Sequence, residues 1–165
     1  QQLLSCARSK KSPIIHVRAA YNNENAVWLE NFKKLQPGRE IYEISEKHQC
    51  GESFAEELPG EIVFNKYSFN AFNEDQNFIQ LLQKQNIDTI ILSGALTSVC
   101  VQQTAFGAFE KGLRVGVVED ACVDRSIERH EAALMLYGGY MYEVLKTGEL
   151  VGNCEDGVDE GENSS

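Results

Sequence analysis

Residues 89–101, TIILSGALTSVCV, run from a short apolar segment through a small-residue turn into a second apolar segment. Residues 89–93 have the length and the β-branched content of a buried strand, which ends at Gly94. Apolar residues then recur at helical spacing, which predicts a helix over residues 98–111 with Gly112 as its C-terminal stop. A buried strand followed at once by a helix is the unit from which parallel sheets are built.

The same alternation extends to both sides of this unit. Further strands are predicted at residues 14–19, 61–66, 113–119 and 140–145. Helices are predicted from Leu3 to about Ser12, around Trp28, after Asn73 as an N-cap with Gln76 in a capping box, and from the N-cap Ser126 to about Tyr137. The sequence therefore predicts an α/β protein, a three-layer αβα sandwich with a parallel sheet, whose strand-to-helix turns share one edge. Ligands bind at that carboxyl edge in such sheets.

Composition limits the classes of function. The 165 residues suffice for one compact domain, and 42% of them are apolar. No apolar run reaches the roughly 18–20 residues that span a bilayer, and the first residues lack the apolar stretch of a signal peptide. The formal net charge is −10 with no basic stripe, which argues against nucleic-acid binding. We predict one domain over residues 1–151 and an acidic, disordered tail over residues 152–165.

The cysteines and histidines bear on compartment and cofactors. The five cysteines are Cys6, Cys50, Cys100, Cys122 and Cys154. Because their number is odd and none forms a CxxC pair, a reducing, cytoplasmic compartment is predicted. The histidines show no metal-ligand spacing, so neither a metal nor another cofactor is predicted.

Cys100 falls in the first turn of the helix that follows the strand at residues 89–93. Unpaired backbone N–H groups and the positive end of the helix dipole lie in such a turn, and they favour a thiolate. The same N–H groups can hold an oxyanion. The alternative is a small core residue, which is what most buried cysteines are.

Lys66 ends the predicted strand at residues 61–66, at the same carboxyl edge. A lysine there can stabilise a thiolate or a developing oxyanion. The alternative is a lysine whose ammonium extends into solvent at the edge of the sheet.

Four segments together resemble the isochorismatase-like cysteine hydrolases. Residues 94–101, GALTSVCV, resemble the family's nucleophile segment, and residues 66–72, KYSFNAF, resemble its lysine segment with Asn70 where Ser is usual. Residues 117–122, VVEDAC, and residues 3–18 resemble two further family segments. The likeness extends from residue 1 to about residue 151.

The resemblance implies a fold with the strand order 3-2-1-4-5-6 and an Asp-Lys-Cys triad. Cys100 is then the nucleophile and Lys66 the triad lysine, in the hydrolysis of a small amide, carbamoyl or ureido compound through a covalent thioester-like intermediate. The resemblance also implies a cis peptide bond between Ala95 and Leu96, and an oxyanion hole formed by the N–H groups of Leu96 and Cys100.

The sequence departs from the family at its start. The family's aspartate ends a first strand ahead of the first helix, whereas this sequence begins inside that helix. We therefore expect a chain that lacks strand 1 and the triad acid, and that is inactive and poorly stable because a central strand is missing. Asp120 follows a later strand and is interpreted as structural.

The metal-binding nicotinamidases of the family carry an Asp-x-His pair after the second strand. Residues 19–23, AAYNN, stand there in this sequence, which argues against a metal and against nicotinamidase activity. Tyr21, Phe69 and Phe72 are candidates for the substrate pocket, and the alternative for each is packing in the core or between subunits.

Two other functions compete with amide hydrolysis. One is isochorismate hydrolysis with release of pyruvate, against which the retained Cys100 argues because family members with that activity often lack the cysteine. The other is a catalytically inactive family member that binds a metabolite or a partner. A homo-oligomer is also predicted. The family is commonly oligomeric, and the sequence has more large aromatic side chains than the two faces of one small sheet can cover. These aromatic residues are Trp28, Phe32, Phe106 and Phe109.

Overall fold

The computed structural model describes residues 1–21, 26–38, 55–73 and 77–152. These residues contain parallel strands in two sheets. The strands are β1 (Ile15–Ala19), β2 (Ile62–Lys66), β3 (Thr89–Ala95), β4 (Arg114–Val123) and β5 (Glu143–Leu145). One sheet pairs β1 with β2, from Ile15 opposite Ile62 to Ala19 opposite Lys66, and the other has the order β3–β4–β5. The predicted α/β class with parallel strands is confirmed.

The predicted order 3-2-1-4-5-6 counts a first strand that this sequence is expected to lack. In that numbering, β2 and β1 correspond to strands 3 and 2, and β3, β4 and β5 correspond to strands 4, 5 and 6. Within the described part of the chain, no ladder joins the two sheets. Strand β4 is longer than predicted and continues to Val123, because its last residues pair with Gly94 and Ala95 beyond a register shift in β3. Local sequence does not reveal such pairing, since it depends on the partner strand.

Helices alternate with these strands. They are α1 (Gln2–Ser9), α2 (Leu29–Leu35), α3 (Asn77–Lys84), α4 (Gln102–Glu110), α5 (Ile127–Tyr137) and α6 (Thr147–Val151). The Ser126 side chain accepts a hydrogen bond from the Arg129 N–H, which confirms it as the N-cap of α5. Gly112 follows α4 with φ +80°, the left-handed conformation that ends many helices. Gln76 of the predicted capping box lies outside the described residues.

Two helical features differ from the predictions. The predicted helix over residues 98–111 has two parts, because a π-helical segment, Thr97–Val101, precedes α4. Helix α6 was not predicted, since its five residues are too few for a periodic pattern. Asp120 stabilises its start by accepting hydrogen bonds from the Thr147 N–H and hydroxyl at 2.8 and 2.9 Å. This contact supports the structural interpretation of Asp120.

The core lies around β4, which is buried on both faces. Val115 and Val117 face one side, and Gly116 and Val118 face the other, because successive residues of a strand point to opposite faces. The two valines of the first side pack with Phe78, Leu82, Val101, Ala105, Ala108 and Tyr142. Helices therefore cover the strand whose carboxyl end faces the site described below.

Glu61, just before β2, connects this sheet to α1. Its carboxylate accepts hydrogen bonds from the Arg8 guanidinium at 2.7 and 3.0 Å and from the Leu58 N–H at 2.9 Å. His16 Nε2 lies 2.8 Å from the same carboxylate. The Arg8 hydrogen bond, followed by that from Leu58, holds the pKa of Glu61 well below its ordinary value.

Replacing Glu61 with Gln is expected to reduce the acid sensitivity of folding. Because the folded-state pKa of Glu61 is depressed, its contribution to the free energy of unfolding is present above about pH 4.3 and is lost as the pH falls below that value. Chemical denaturation at pH 6 and pH 3 measures the difference between Glu61→Gln and wild type. Glu110→Gln, at an exposed position of α4, is the control and should follow wild type. An equal loss of stability in all three proteins between these pH values would contradict the prediction.

Candidate active site

The structure brings Lys66 and Cys100 together at the carboxyl edge. Lys66 is the last residue of β2, and Cys100 lies in the π-helical segment that follows β3. Lys66 Nζ is 3.5 Å from Cys100 Sγ. The predicted proximity of the two side chains is confirmed, although they lie 34 positions apart in the sequence.

Lys66 does not extend into solvent. It is only 4% exposed, and its ammonium donates hydrogen bonds to the Ser68 carbonyl at 2.6 Å and to the Tyr21 hydroxyl at 2.7 Å. An ammonium has three protons, and Cys100 Sγ is a third acceptor within reach. The interpretation of Lys66 as a solvated edge lysine is therefore wrong, because its charge is held inside the protein by acceptors directed at it.

Tyr21 completes a three-residue cluster with Lys66 and Cys100. Its hydroxyl lies 3.7 Å from Cys100 Sγ and 3.3 Å from the Ser68 carbonyl oxygen. The Tyr21 ring packs edge-on against Trp28 and Phe69, with centroid distances of 5.0 and 5.9 Å. Of the three aromatic pocket candidates, Tyr21 and Phe69 thus lie at the site.

Phe72, the third pocket candidate, lies in the hydrophobic core. It is 7% exposed, and its ring packs against Phe78 at a centroid distance of 4.9 Å. Ala71 beside it is fully buried. We therefore correct the prediction for Phe72: it is a packing residue, because the chain turns inward after Asn70 to meet α3.

Asn70, which stands where the family usually has Ser, fits against a glycine of α4. Its side chain accepts a hydrogen bond from the Phe72 N–H at 2.9 Å. A Cβ atom at Gly107 would collide with the Asn70 amide, so the larger residue at position 70 is matched by the absence of a side chain at position 107.

The turn that carries Cys100 is held by hydrogen bonds from several sides. The peptide bond between Ala95 and Leu96 is cis. The Leu96 carbonyl accepts from the N–H groups of Val99 and Val101, each at 3.1 Å. The Ser98 N–H is not free for an oxyanion, because it donates to Asp124 Oδ2 at 2.6 Å. The N–H groups of Leu96 and Cys100 stay our proposed oxyanion donors.

Asp124 is a site residue that the sequence analysis missed. Its side chain has no solvent exposure, and it also accepts a hydrogen bond from the Arg125 N–H at 2.7 Å. Burial alone raises the pKa of Asp124, but the hydrogen bonds from Ser98 and Arg125 outweigh burial and hold this pKa below its ordinary value. The available signal was its position one residue beyond the carboxyl end of β4.

Helix α5 also contacts this turn. Thr97 is 1% exposed, and its hydroxyl lies 2.8 Å from His130 Nδ1. The hydrogen bond connects the start of the π-helical segment to the first turns of α5, so the nucleophile turn is fixed between Asp124 on one side and His130 on the other.

A family model described as an isochorismatase domain matches residues 1–149. This chain belongs to the isochorismatase family. Maleamate amidohydrolase of Pseudomonas putida is 29% identical to it over 136 residues, which are 80% of this chain and 62% of that protein. Nicotinamidase 3 of Arabidopsis thaliana is 38% identical over 87 residues, which are 52% of this chain and 43% of that protein. The chain thus spans less than two thirds of the length of either relative.

A solved structure shares its fold with this chain. The cysteine hydrolase from Pseudomonas syringae superposes with a TM-score of 0.80 at 18% identity, covering 94% of this chain and 78% of that one. At this identity the likeness concerns the fold alone. It supports the predicted architecture, including the placement of parallel strands between helices.

Among the described residues of this isochorismatase-family chain, no three His, Cys, Asp or Glu side chains are grouped as for a metal ion. In the same residues, no helix has the length and apolar character needed to cross a membrane.

The thiols of this family member differ in environment. Cys100 and Cys122 are free thiols, whereas Cys6 is disulfide-bonded, contrary to the expectation of reduced cysteines throughout. Burial raises the pKa of the Cys122 thiol to about 11. Cys50 and Cys154 lie outside the described residues. Cys122 therefore serves as an internal reference for the reactivity of Cys100.

Proposed function

We propose that this chain carries the nucleophile and the lysine of a cysteine hydrolase for small amide, carbamoyl or ureido compounds. The observation that carries the proposal is the 3.5 Å approach of a buried Lys66 ammonium to Cys100 Sγ. A positive charge 3.5 Å from the sulfur can stabilise negative charge there during the reaction, which suits a nucleophilic cysteine. The names of the two relatives, an amidohydrolase and a nicotinamidase, support C–N hydrolysis.

In the proposed reaction, the Cys100 thiolate attacks the carbonyl carbon of the substrate. The carbonyl oxygen becomes an oxyanion, which the N–H groups of Leu96 and Cys100 stabilise. Departure of the nitrogen leaves a thioester-like intermediate on Cys100, and water then hydrolyses it. Lys66 stabilises the thiolate before attack and again when the C–S bond breaks. The aromatic side chains of Tyr21 and Phe69 border the position of the acyl group.

Alkylation should distinguish Cys100 from Cys122, the second free thiol in the part of the chain that the structure describes. Iodoacetamide at pH 7 is expected to modify Cys100 before Cys122, because a thiol with a pKa of about 11 has roughly one molecule in 10⁴ ionised at that pH. Peptide mass spectrometry at short times measures both sites in one sample. Alkylation of Cys100 no faster than that of glutathione would contradict the proposal.

The reaction itself is tested by release of ammonia or amine. A panel of short-chain amides, carbamoyl compounds and ureido compounds is incubated with the protein, and Cys100 is inspected for an acyl adduct. A product together with an adduct supports hydrolysis. A reactive Cys100 without an adduct or a product from any of these compounds would favour the inactive, ligand-binding alternative.

Self-association and a cytoplasmic location stay predictions. Some of the aromatic side chains that were predicted to be left uncovered by the sheet do pack within the protein: Phe106 contacts Tyr137, and Trp28 contacts Phe32. Phe109, in contrast, is 46% exposed. Exposed apolar side chains also occur on α5, where Met135 is 77% exposed. Such side chains support the proposal of a homo-oligomer.

A further inference from the structure

We infer that Asp124 is a positioning residue, whose carboxylate aligns the proposed oxyanion donors, the N–H groups of Leu96 and Cys100, with the attacking sulfur. The inference rests on the proposed function and adds to it a residue that acts through the backbone of the nucleophile turn. Asp124 Oδ2 accepts a hydrogen bond from the Ser98 N–H at 2.6 Å. Because Ser98 lies midway between the two proposed donors in the chain, an anchor there limits how far either N–H can rotate.

The position of Asp124 follows from the extended end of β4. Beyond the register shift in β3, Ala95 pairs with Val123, and these are the last residues of the two strands. The residues that follow them, Leu96 and Asp124, therefore leave the sheet side by side. The extension of β4, which local sequence does not reveal, thus delivers a carboxylate to the start of the nucleophile turn.

The Asp124 carboxylate is fully used as an acceptor for backbone N–H groups. Besides the contact with Ser98, its Oδ1 accepts from the Arg125 N–H at 2.7 Å, and the side chain has no solvent exposure. Burial raises the pKa of Asp124, but these hydrogen bonds outweigh burial, so the group is ionised at neutral pH and accepts at both oxygens. Bulk water does not reach the carboxylate to compete with either donor.

Asp124 takes the place of a local cap for the helical stretch that begins at Thr97 and continues into α4. The N-cap residue of this stretch, Leu96, has an apolar side chain and makes no capping hydrogen bond. Asp124 supplies the acceptor that an N-cap Asp or Ser ordinarily supplies to an N–H of the first turn. A local cap moves with its helix, whereas Asp124 belongs to the end of a sheet strand. The orientation of the turn that carries Cys100 is therefore fixed relative to the sheet.

Acyl transfer and alkylation make different demands on this turn. In acyl transfer from an ester, a thiolate Sγ of Cys100 bonds to the carbonyl carbon, an oxyanion develops, and the alcohol part leaves with the electrons of the C–O bond. The sulfur and the N–H donors must then be aligned at the same time. In alkylation by iodoacetamide, the S–C bond forms as iodide leaves, and no oxyanion develops. A residue that aligns the donors should affect the first reaction and spare the second.

The test measures both reactions in Asp124→Asn, which keeps the size of the side chain but accepts at one oxygen instead of two. We expect the maximal rate of Cys100 acetylation by 4-nitrophenyl acetate to fall at least about tenfold, with the half-saturating ester concentration unchanged within about twofold. Alkylation of Cys100 at pH 7 should stay within about threefold of wild type, because the sulfur itself is untouched. Asp120→Asn is the matched control. It removes the same charge from β4, but its carboxylate accepts from Thr147, so it should match wild type in both reactions.

The outcomes separate this inference from the proposed function. If wild type forms no acetyl adduct on Cys100, both are wrong. If the adduct forms, the proposed nucleophile stands, and the two rates in Asp124→Asn decide on Asp124 alone. Acetylation at the wild-type rate would make the contact dispensable, and equal losses in acetylation and alkylation would make Asp124 a residue of the fold alone; either result overturns the inference. Rapid alkylation of Cys122 would reveal an unfolded variant, in which case Asp124→Ser is measured and decided by the same criteria.

Discussion

Cys100→Ala is expected to abolish formation of the acyl adduct and to reduce hydrolysis by at least about 10³-fold, because the reaction has no other nucleophile to form the thioester. The free energy of unfolding should change by about 1 kcal/mol or less, since one sulfur atom is lost from a half-buried side chain. Intact-protein mass spectrometry after incubation with 4-nitrophenyl acetate measures the adduct. Thermal denaturation of the same samples measures stability.

Cys122→Ala is the matched control for this experiment. It removes a second free thiol that is also half-buried and lies at the end of β4, in the sheet that carries Cys100. We expect wild-type adduct formation in this variant. An adduct that persists in Cys100→Ala, or disappears in Cys122→Ala, would place the nucleophile elsewhere.

The strand positions were predictable because the sheet is parallel and its central strand is buried. Residues 115–118, VGVV, form a continuous apolar run, which is how a strand covered on both faces appears in a sequence. The end of β4 was not predictable in the same way. Residues 120–123 are mixed in character, and only their pairing with β3 makes them a strand.

The pair Lys66 and Cys100 was predictable because topology alone brings the ends of parallel strands to one edge. The contacts that complete the site depend on side-chain direction, which periodicity does not encode. Tyr21 was predicted only as a pocket aromatic, and its hydroxyl contact with Lys66 joins residues 45 positions apart. Phe72 follows Phe69 by three positions, yet one ring borders Tyr21 and the other is buried in the core.

Lys66→Met is expected to slow alkylation of Cys100 at pH 7 by at least about tenfold and any hydrolysis by about 10²–10³-fold, because it removes a preorganised positive charge 3.5 Å from the sulfur. Met keeps the length of the side chain, so packing is largely preserved. The substitution is also expected to lower stability. Lys66 is buried, not a solvated edge residue, and its loss leaves the Ser68 carbonyl without a strong donor. We therefore expect the free energy of unfolding to fall by about 1–3 kcal/mol.

Lys84→Met separates the local charge from the overall charge of the protein. Lys84 is an exposed residue of α3, and its replacement changes the net charge by the same amount as Lys66→Met. Because exposed charges are screened by solvent and salt, Lys84→Met should alkylate at the wild-type rate. Alkylation of wild type, Lys66→Met and Lys84→Met is quenched at timed intervals, at pH 7 and at two salt concentrations. Peptide mass spectrometry then gives the rate of Cys100 modification in each protein. If Lys66→Met alkylates as fast as Lys84→Met, the thiolate does not depend on the buried ammonium, and the helix start alone accounts for the reactivity of Cys100.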